Sequence, residues 1–258
     1  MILLSPRVSQ DALARFTCAV HLRGSLARLT CAAHLRRIPR SDTFERMKFV
    51  IRLVRLVFGL FLYALGIALT IQAHIGYAPW DIFHAGVAKL AGIQLGTASI
   101  AAGIVIVALT VLLGEKIGLG TILNMVLIGL FLNAIFALDI IPLAFSVPAG
   151  IGMLVAGLFV IALASYFYIG SGFGAGPRDS LMIALRRLTK IPIGICRAVI
   201  EGTVLLAGWA LGGLFGFGTV LSAIATGFCI ELTFTLLRFD VTEVCHETLA
   251  ETIQRFRQ

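Results

Sequence analysis

Two short motifs of the same composition carry the residues with which this chain could do chemistry. The pattern Gly-x-x-Pro-x-Asp occurs at 76–81 and again at 174–179, with Asp81 and Asp179 as its carboxylates. Proline suits the first position of a helix, where its missing N–H removes no hydrogen bond. The Asp two residues later then falls in the first turn, near free backbone N–H groups and the positive end of the helix dipole. Each motif therefore predicts a helix that starts with a carboxylate.

The motifs allow a structural and a functional interpretation. In the structural one, Pro79 and Pro177 start the helices and the two Asp side chains only cap them. In the functional one, both helix starts enter the protein interior and bind an anion or hold a protonatable Asp, as half-helices do in inverted-repeat transporters. Three glycines, at Gly76, Gly174 and Gly176, would then bring the backbone close to a ligand. The sequence leaves both interpretations open.

Two further charged residues join the candidate site. Arg178 directly follows the second proline, and Glu201 lies near the middle of a predicted membrane span. An ionisable group at that depth costs at least roughly 2.5–3.5 kcal/mol, so it is expected to face a polar interior. Arg197, one turn earlier on the same helical face, could pair with Glu201 structurally. Alternatively, Glu201 belongs to a coupling-ion or substrate site. The candidate site residues are thus Asp81, Asp179, Arg178 and Glu201, together with the three glycines.

The two motifs belong to a longer internal repeat. Residues 58–136 align without a gap with residues 156–234 at a constant offset of 98, and 20 of the 79 pairs are identical. The identical pairs include a Gly-x-Gly-Thr sequence at 118–121 and 216–219. Because glycine and proline constrain local backbone geometry, the alignment predicts two copies of one structural unit.

The composition places this unit in a membrane. Hydrophobic residues make up 59% of the chain and charged residues 13%, against about 45–50% and about 25% in soluble domains. Five runs contain no Asp, Glu, Lys or Arg: 56–80, 90–114, 117–138, 140–177 and 202–230. Each has the roughly 20 residues that a helix needs to cross a bilayer. We predict an all-α, polytopic helical membrane protein whose partner is the lipid bilayer. The basic residues that give the chain its net charge of +8 flank the apolar runs, as basic residues that orient membrane proteins do. We therefore expect no nucleic-acid partner.

The repeat and the charges together predict a topology. We expect about six transmembrane helices, at approximately 53–73, 94–114, 119–138, 148–170, 193–213 and 217–237. The Lys and Arg residues then concentrate on one side, which the positive-inside rule makes cytoplasmic, with both termini on that side. Each repeat holds three spans, so the second copy must be inverted relative to the first. The segments 80–91 and 178–190 are too short to cross and are expected as surface helices or half-helices.

The ends of the chain differ from this membrane domain, which we place at 47–240. Residues 1–46 contain eight Arg and no Lys. They could form an amphipathic helix on a membrane surface, or they could be disordered or untranslated, with translation starting at Met47. Residues 241–258 are polar and are expected as a cytoplasmic tail with a short helix.

The sequence shows no signature of catalysis. The P-loop, HExxH and GxSxG patterns are absent, and the five cysteines have no metal-type spacing. We therefore expect no enzyme, no cofactor and no metal site. An aromatic and histidine cluster at the non-cytoplasmic end of the first span is interpreted as an interfacial belt, with zinc binding as the second interpretation; it comprises His74, Tyr77, Trp80 and His84.

The motifs at 76–81, 114–124 and 174–179 resemble the YczE/YitT group of bacterial integral membrane proteins, over roughly 50–237. The resemblance implies a multi-pass protein of the bacterial inner membrane with about six spans, and it implies no reaction. We expect a secondary transporter or permease-like protein for an unknown small solute. The alternative is a non-transporting scaffold or regulator that acts through its basic cytoplasmic loop, and a membrane enzyme comes third. A homo-oligomer stays open.

Overall fold

A computed structural model of the chain describes residues 42–241, 244 and 246–257, and over these residues the regular structure is helical, with no β-strand. The expectations for 1–41 lie outside the described residues. The helices are α1 (Asp42–Gln72), α2 (Pro79–Ala91), α3 (Leu95–Leu112), α4 (Leu119–Ala137), α5 (Val147–Ile169), α6 (Pro177–Thr189), α7 (Ile193–Ala210), α8 (Phe217–Leu236) and α9 (Leu249–Arg257).

Within the described part of the chain, five helices are long and apolar enough to cross a membrane. They are α1 from Arg46 onwards, α3, α4, α5 and α8. The all-helical, membrane-spanning class predicted from composition is therefore confirmed. The sixth predicted span, at 193–213, is present as helix α7, but α7 carries Arg197 and Glu201 and is not among the five.

Helix length separates spanning helices from short ones. Helix α1 has 31 residues, roughly 46 Å at 1.5 Å per residue, which exceeds the about 30 Å of a hydrocarbon core. Its first turns, which begin before Met47, carry Lys48, Arg52 and Arg55. Helices α2 and α6 have 13 residues each and reach only about 20 Å. They cannot cross, and each instead places its first turn inside the bundle.

Helix α1 forms the centre of the fold and packs lengthwise against α5. Glycines let the two backbones approach closely: a β-carbon on Gly59 would lie 2.8 Å from the Tyr168 nitrogen, and one on Gly66 would lie 2.9 Å from the Gly157 oxygen. Because a later residue of α1 meets an earlier residue of α5, the two helices run antiparallel. Buried Leu56, among other side chains of α1, fills the core around them.

The remaining packing is reciprocal between the repeats. Helix α2 packs on α7 of the second repeat, and α6 packs on α3 of the first. Packing within the repeats is also equivalent, since α4 packs on α1 in the first repeat and α8 packs on α5 in the second. The ends of the short helices repeat the pattern, since a β-carbon on Gly114 would lie 3.3 Å from Arg187 Nη2 and one on Gly212 would lie 3.2 Å from Lys89 Nζ.

The outer surface of the bundle is apolar. Large hydrophobic side chains that point away from the core are between 54% and 73% exposed, and they include Ile104, Val105, Leu206, Ile224 and Phe228. A soluble monomer rarely exposes such a continuous surface, whereas lipid is its natural surrounding. Helices α3, α7 and α8 therefore each turn an apolar side outwards, as helices in contact with lipid do.

The C-terminal segment packs against the loop before α6. Arg52 Nη1 donates to Glu247 Oε1 at 2.5 Å, and Arg52 Nε donates to the Ser171 carbonyl at 2.7 Å. The Glu247 N–H donates to the Gly172 carbonyl at 2.8 Å. These bonds fix the start of the tail, and the short helix expected within it is α9.

Candidate functional site

The loop before α6 is held by the Gly-x-Gly-Thr turn of the first repeat. The Gly120 N–H donates to the Phe173 carbonyl at 2.8 Å, and Thr121 Oγ1 donates to the Ala175 carbonyl at 2.6 Å. Between these bonds Gly174 has φ +112°, a backbone angle that L side chains rarely adopt. The turn at the start of α4 therefore fixes the entry into α6.

The loop before α2 is held in the equivalent way by the second repeat. The Gly218 N–H donates to the Ile75 carbonyl at 2.7 Å. Gly76 has φ +122°, and a β-carbon there would lie 2.8 Å from Thr219 Oγ1. Gly76 and Gly174 thus approach the turn of the other repeat, and neither lines either of the two cavities described below. Gly176, in contrast, lines the larger of these cavities.

The two short helices begin at the prolines of the motifs. The N-caps are Ala78 for α2 and Gly176 for α6, and neither provides a side-chain cap. Pro79 and Pro177 occupy the first turns. The N–H groups of the first turns therefore depend on other partners, and the positive ends of both helix dipoles lie beside the same region of the bundle.

Residues at equivalent positions meet between the two helix starts. Trp80 and Arg178 each follow the proline of their motif, and the Arg178 guanidinium carbon lies 4.6 Å from the centre of the Trp80 ring. A cation that close to an indole face is attracted by the ring quadrupole. The contact joins α2 to α6 at the centre of the molecule.

A cavity of about 160 Å³ lies on the α6 side of this contact. Its polar lining comes from Asp179 and Arg178 of α6, Asn124 of α4, Tyr168 of α5 and Glu201 of α7. A second cavity, of about 110 Å³, lies on the α2 side. It is lined by residues that the repeat makes equivalent to those of the first, among them Ala78, Pro79, Asp81, Ser222 and Thr226. Both cavities share the side chains of Tyr63, Ile67, Trp80, Arg178, Arg197 and Glu201.

The carboxylates of the two motifs differ in exposure. Asp81 is buried, at 6% exposure, and its Oδ1 lies 3.9 Å from His84 Nδ1. Asp179 is exposed beside the larger cavity. The two halves therefore share sequence and packing but differ in the exposure of these two carboxylates.

The other charges divide into a paired and an unpaired set. Arg197 Nε lies 2.8 Å from Glu201 Oε1, so the ion pair considered from the sequence is present, and both residues line both cavities. Among the described side chains, Arg178 and Asp179 have no oppositely charged group within 4 Å. In the same part of the chain, no group of three or more His, Cys, Asp or Glu residues is placed to hold a metal ion.

One buried polar group at the larger cavity lacks a partner. Tyr168 is 5% exposed, and its hydroxyl has no hydrogen-bond partner among the described groups. A β-carbon on Gly176 would lie 3.1 Å from this hydroxyl, 3.5 Å from Asp179 Oδ2 and 3.8 Å from Asn124 Nδ2. Three polar groups from three helices therefore converge beside the start of α6.

The structure adds residues that the sequence did not indicate. Tyr63 and Tyr168 lie inside apolar runs, where an aromatic residue signals only core packing. The interfacial belt expected at the end of the first span is wrong for two members. Trp80 and His84 are 7% and 4% exposed and line the larger cavity, because they follow Pro79 into the bundle, while His74 stays exposed.

Comparison with known proteins is consistent with the sequence motifs. The family described as "Family of unknown function (DUF6198)" matches residues 50–235. An "Uncharacterized membrane protein YczE" of Bacillus subtilis is 37% identical over 189 residues, covering 71% of this chain and 87% of the relative. An "Uncharacterized protein" of Haemophilus influenzae is 28% identical over 182 residues, covering 70% of this chain and 83% of the relative. No solved structure gives a significant match. The resemblance to YczE-type proteins is confirmed.

Proposed function

This chain belongs to the DUF6198 family, and we propose that it is a secondary transporter or permease-like protein for a small solute. The supporting observation is the pair of cavities between the two Pro-Asp helix starts. They are lined by equivalent residues and share the Trp80–Arg178 contact. Asp179, beside the larger cavity, is exposed, whereas its equivalent Asp81 is buried. A central site with two equivalent approaches that differ in exposure is what alternating access requires.

The proposal includes an inverted repeat of six spans, with α7 as the sixth. Two features support the inversion: α1 and α5 pack antiparallel, and each Gly-Pro-Asp loop is bonded to the turn of the opposite repeat. Pairing between Arg197 and Glu201 supports α7 as a span, because a neutral pair that faces a cavity avoids much of the cost of a lone charge. In this topology α2 and α6 are half-helices that approach the centre from opposite sides.

The basic residues orient the proposed topology in the inner membrane. Lys48, Arg52 and Arg55 flank the start of α1, and Arg186 and Lys190 lie at the end of α6. The positive-inside rule places both groups in the cytoplasm. The cavity beside Asp179 then faces the cytoplasm, and the cavity beside Asp81 faces the opposite side.

Cysteine accessibility at two equivalent cavity residues tests the transport proposal. Asn124 lines the cavity beside Asp179 and is half-buried, and Ser222, its repeat equivalent, lines the other cavity and is buried. Each is changed to Cys in a chain without native cysteines, and a membrane-impermeant thiol reagent is applied to right-side-out and inside-out vesicles. We expect Asn124→Cys to react from the cytoplasmic side and Ser222→Cys to react from the opposite side, since the two cavities open in alternation.

Two exposed positions control the labelling. Phe145→Cys, at a residue 94% exposed in the loop before α5, reports the non-cytoplasmic side, and Arg187→Cys, on exposed α6, reports the cytoplasmic side. If Ser222→Cys stays unreactive from both sides while both controls react, the cavities do not alternate. A static scaffold that acts through its basic loop is then the better description.

A further inference from the structure

We infer that the occupant of the larger cavity is a small zwitterion, a molecule that carries one carboxylate and one ammonium group, as a small amino acid does. The inference rests on the proposed function for the statement that this molecule crosses the membrane. Binding of the zwitterion follows from three features of the cavity alone: unsatisfied polar groups, charge balance and volume.

The first step is the Tyr168 hydroxyl, which is buried and has no side-chain or backbone hydrogen-bond partner within bonding geometry among the described residues. A buried polar group that lacks a hydrogen bond costs about 1–3 kcal/mol, so its persistence calls for an explanation such as an absent ligand. The hydroxyl, Asn124 Nδ2 and Asp179 Oδ2 all lie near Gly176, and their residues line the larger cavity. A ligand in this cavity meets two groups that can donate hydrogen bonds and one that accepts them.

The second step is the balance of charges that line this cavity. Arg197 and Glu201 neutralise each other at 2.8 Å, which leaves the Arg178 guanidinium and the Asp179 carboxylate without an oppositely charged partner within 4 Å among the described residues. A purely anionic ligand could pair with Arg178 but would face Asp179. A purely cationic ligand could pair with Asp179 but would face Arg178. Only a ligand with both charges a few bonds apart pairs with both.

The helix starts favour the same orientation of the ligand. First-turn N–H groups and the positive dipole ends of α2 and α6 attract a carboxylate, and Arg178 offers a planar fork for it. The ammonium group then lies toward Asp179 and Glu201, which line the same cavity. Arg178 also contacts Trp80, so its guanidinium is held at the centre before a ligand arrives.

The third step is volume. The cavity measures about 160 Å³, below the roughly 300–1,000 Å³ of sites for drug-sized ligands. The neighbouring cavity of about 110 Å³ lies beyond the Trp80–Arg178 contact. The space accommodates a zwitterion with a side chain of a few atoms and excludes one with a large aromatic side chain.

A matched series of ligands tests the inference on the purified full-length chain in detergent. Alanine carries both charges, propionate lacks the ammonium group, ethylamine lacks the carboxylate, and phenylalanine is too large. Binding is measured by titration calorimetry. We expect alanine to bind, each singly charged analogue to bind about ten- to hundredfold more weakly because it loses a charge-assisted hydrogen bond, and phenylalanine not to bind.

Variants assign the two charges to their partners. Arg178→Gln should weaken alanine and propionate while leaving ethylamine unchanged or stronger, and Asp179→Asn should weaken alanine and ethylamine only. Tyr168→Phe should weaken alanine severalfold. Matched controls outside the cavity are Arg187→Gln, Asp139→Asn and Tyr166→Phe, none of which should alter binding. The comparison among ligands on the unchanged chain keeps the test valid even where a variant fails to fold.

The outcomes separate this inference from the transport proposal. Propionate or ethylamine binding as tightly as alanine would overturn the zwitterion, and so would the absence of binding by alanine, glycine and serine. If alanine binds selectively but Ser222→Cys never reacts, the zwitterion site stands and transport fails. If the cavities alternate but alanine does not bind, transport stands and the zwitterion is wrong.

Discussion

The Arg178 guanidinium lies over the Trp80 ring, 4.6 Å from its centre, although the two residues are equivalent positions of a repeat. Under the two-fold relation proposed above, equivalent residues can touch only near the axis that relates the two copies. In that arrangement the contact marks the axis. It also divides the interior into the two cavities and couples the start of α2 to the start of α6.

The first prediction measures this coupling by a double-mutant cycle. Trp80→Leu and Arg178→Gln, alone and together, should give an interaction energy of about 0.5–2 kcal/mol, the range of a cation–π contact. The measurement is the free energy of unfolding in detergent. Trp209, which is 60% exposed on α7, supplies the control, since Trp209→Leu and Arg178→Gln should be additive within about 0.5 kcal/mol. Additivity in both pairs would show that the contact contributes nothing.

The second prediction concerns the glycines that join the repeats. Gly76→Ala and Gly174→Ala should each destabilise the protein by about 1–3 kcal/mol, because a side chain at positive φ is strained and its β-carbon would lie 2.8 Å from Thr219 Oγ1 or 3.0 Å from Gly118 Cα. Thermal unfolding in detergent measures the loss. Gly227→Ala, in α8 with nothing within 4 Å, should be neutral or stabilising by up to about 1 kcal/mol. Equal effects at all three positions would contradict the proposed role of the loops.

The third prediction tests the inverted topology at one equivalent pair. Lys89 and Arg187 are exposed near the ends of α2 and α6. In the cysteine-free chain, Lys89→Cys should react with an impermeant reagent only from the periplasmic side, and Arg187→Cys only from the cytoplasmic side. Labelling of both from the same side would eliminate the inverted repeat and most of the argument for transport.

The fourth prediction separates a cap from a binding site at Asp179. Asp179→Asn keeps the size and the acceptor oxygen, so a pure cap should lose only the charge–dipole term of about 0.3–1 kcal/mol. A site that needs the carboxylate should lose ligand binding while the protein remains folded. Asp81→Asn should likewise lose ligand binding while the protein remains folded if both helix starts line one transport path. Stability and binding that fall in proportion would leave capping as the sole role.

The fifth prediction concerns the tail. Arg52→Gln removes the 2.5 Å bond to Glu247 and the bond to Ser171, so the segment that begins at 246 should exchange its amide hydrogens faster. Hydrogen–deuterium exchange at the Glu247 amide, which donates to Gly172, measures the effect. Arg186→Gln, at an exposed residue of α6, serves as control. Unchanged exchange in Arg52→Gln would show that the backbone bonds alone hold the tail.

The fold followed from the sequence where local composition decides it. The charge-free runs predicted α1, α3, α4, α5 and α8 closely, and the Gly-Pro motifs predicted where α2 and α6 begin. The repeat alignment depends on residues such as Gly76 and Gly120 whose backbone requirements are local. Those requirements do not reveal that the partner of each loop belongs to the other repeat, because that partner is distant in sequence.

The candidate site was only half predictable for the same reason. Asp81, Asp179, Arg178 and Glu201 stand out because charge is rare in an apolar chain, and the structure brings all four to the two cavities. Tyr63 and Tyr168 could not be distinguished from ordinary core residues, since nothing in the sequence shows which face of a buried helix meets a cavity. The difference in exposure between Asp81 and Asp179 is likewise invisible to an alignment that makes them equivalent.

The hydrogen bonds between each Gly-Pro-Asp loop and the turn of the other repeat have a consequence for biosynthesis. The Ile75 carbonyl before α2 accepts a hydrogen bond from the Gly218 N–H, and Gly218 is synthesised after α7. A nascent first half therefore lacks this hydrogen-bond donor. An isolated first half could obtain it only from a second polypeptide. Two halves produced as separate chains, divided between α4 and α5, should associate and restore the fold. Either half produced alone should be degraded.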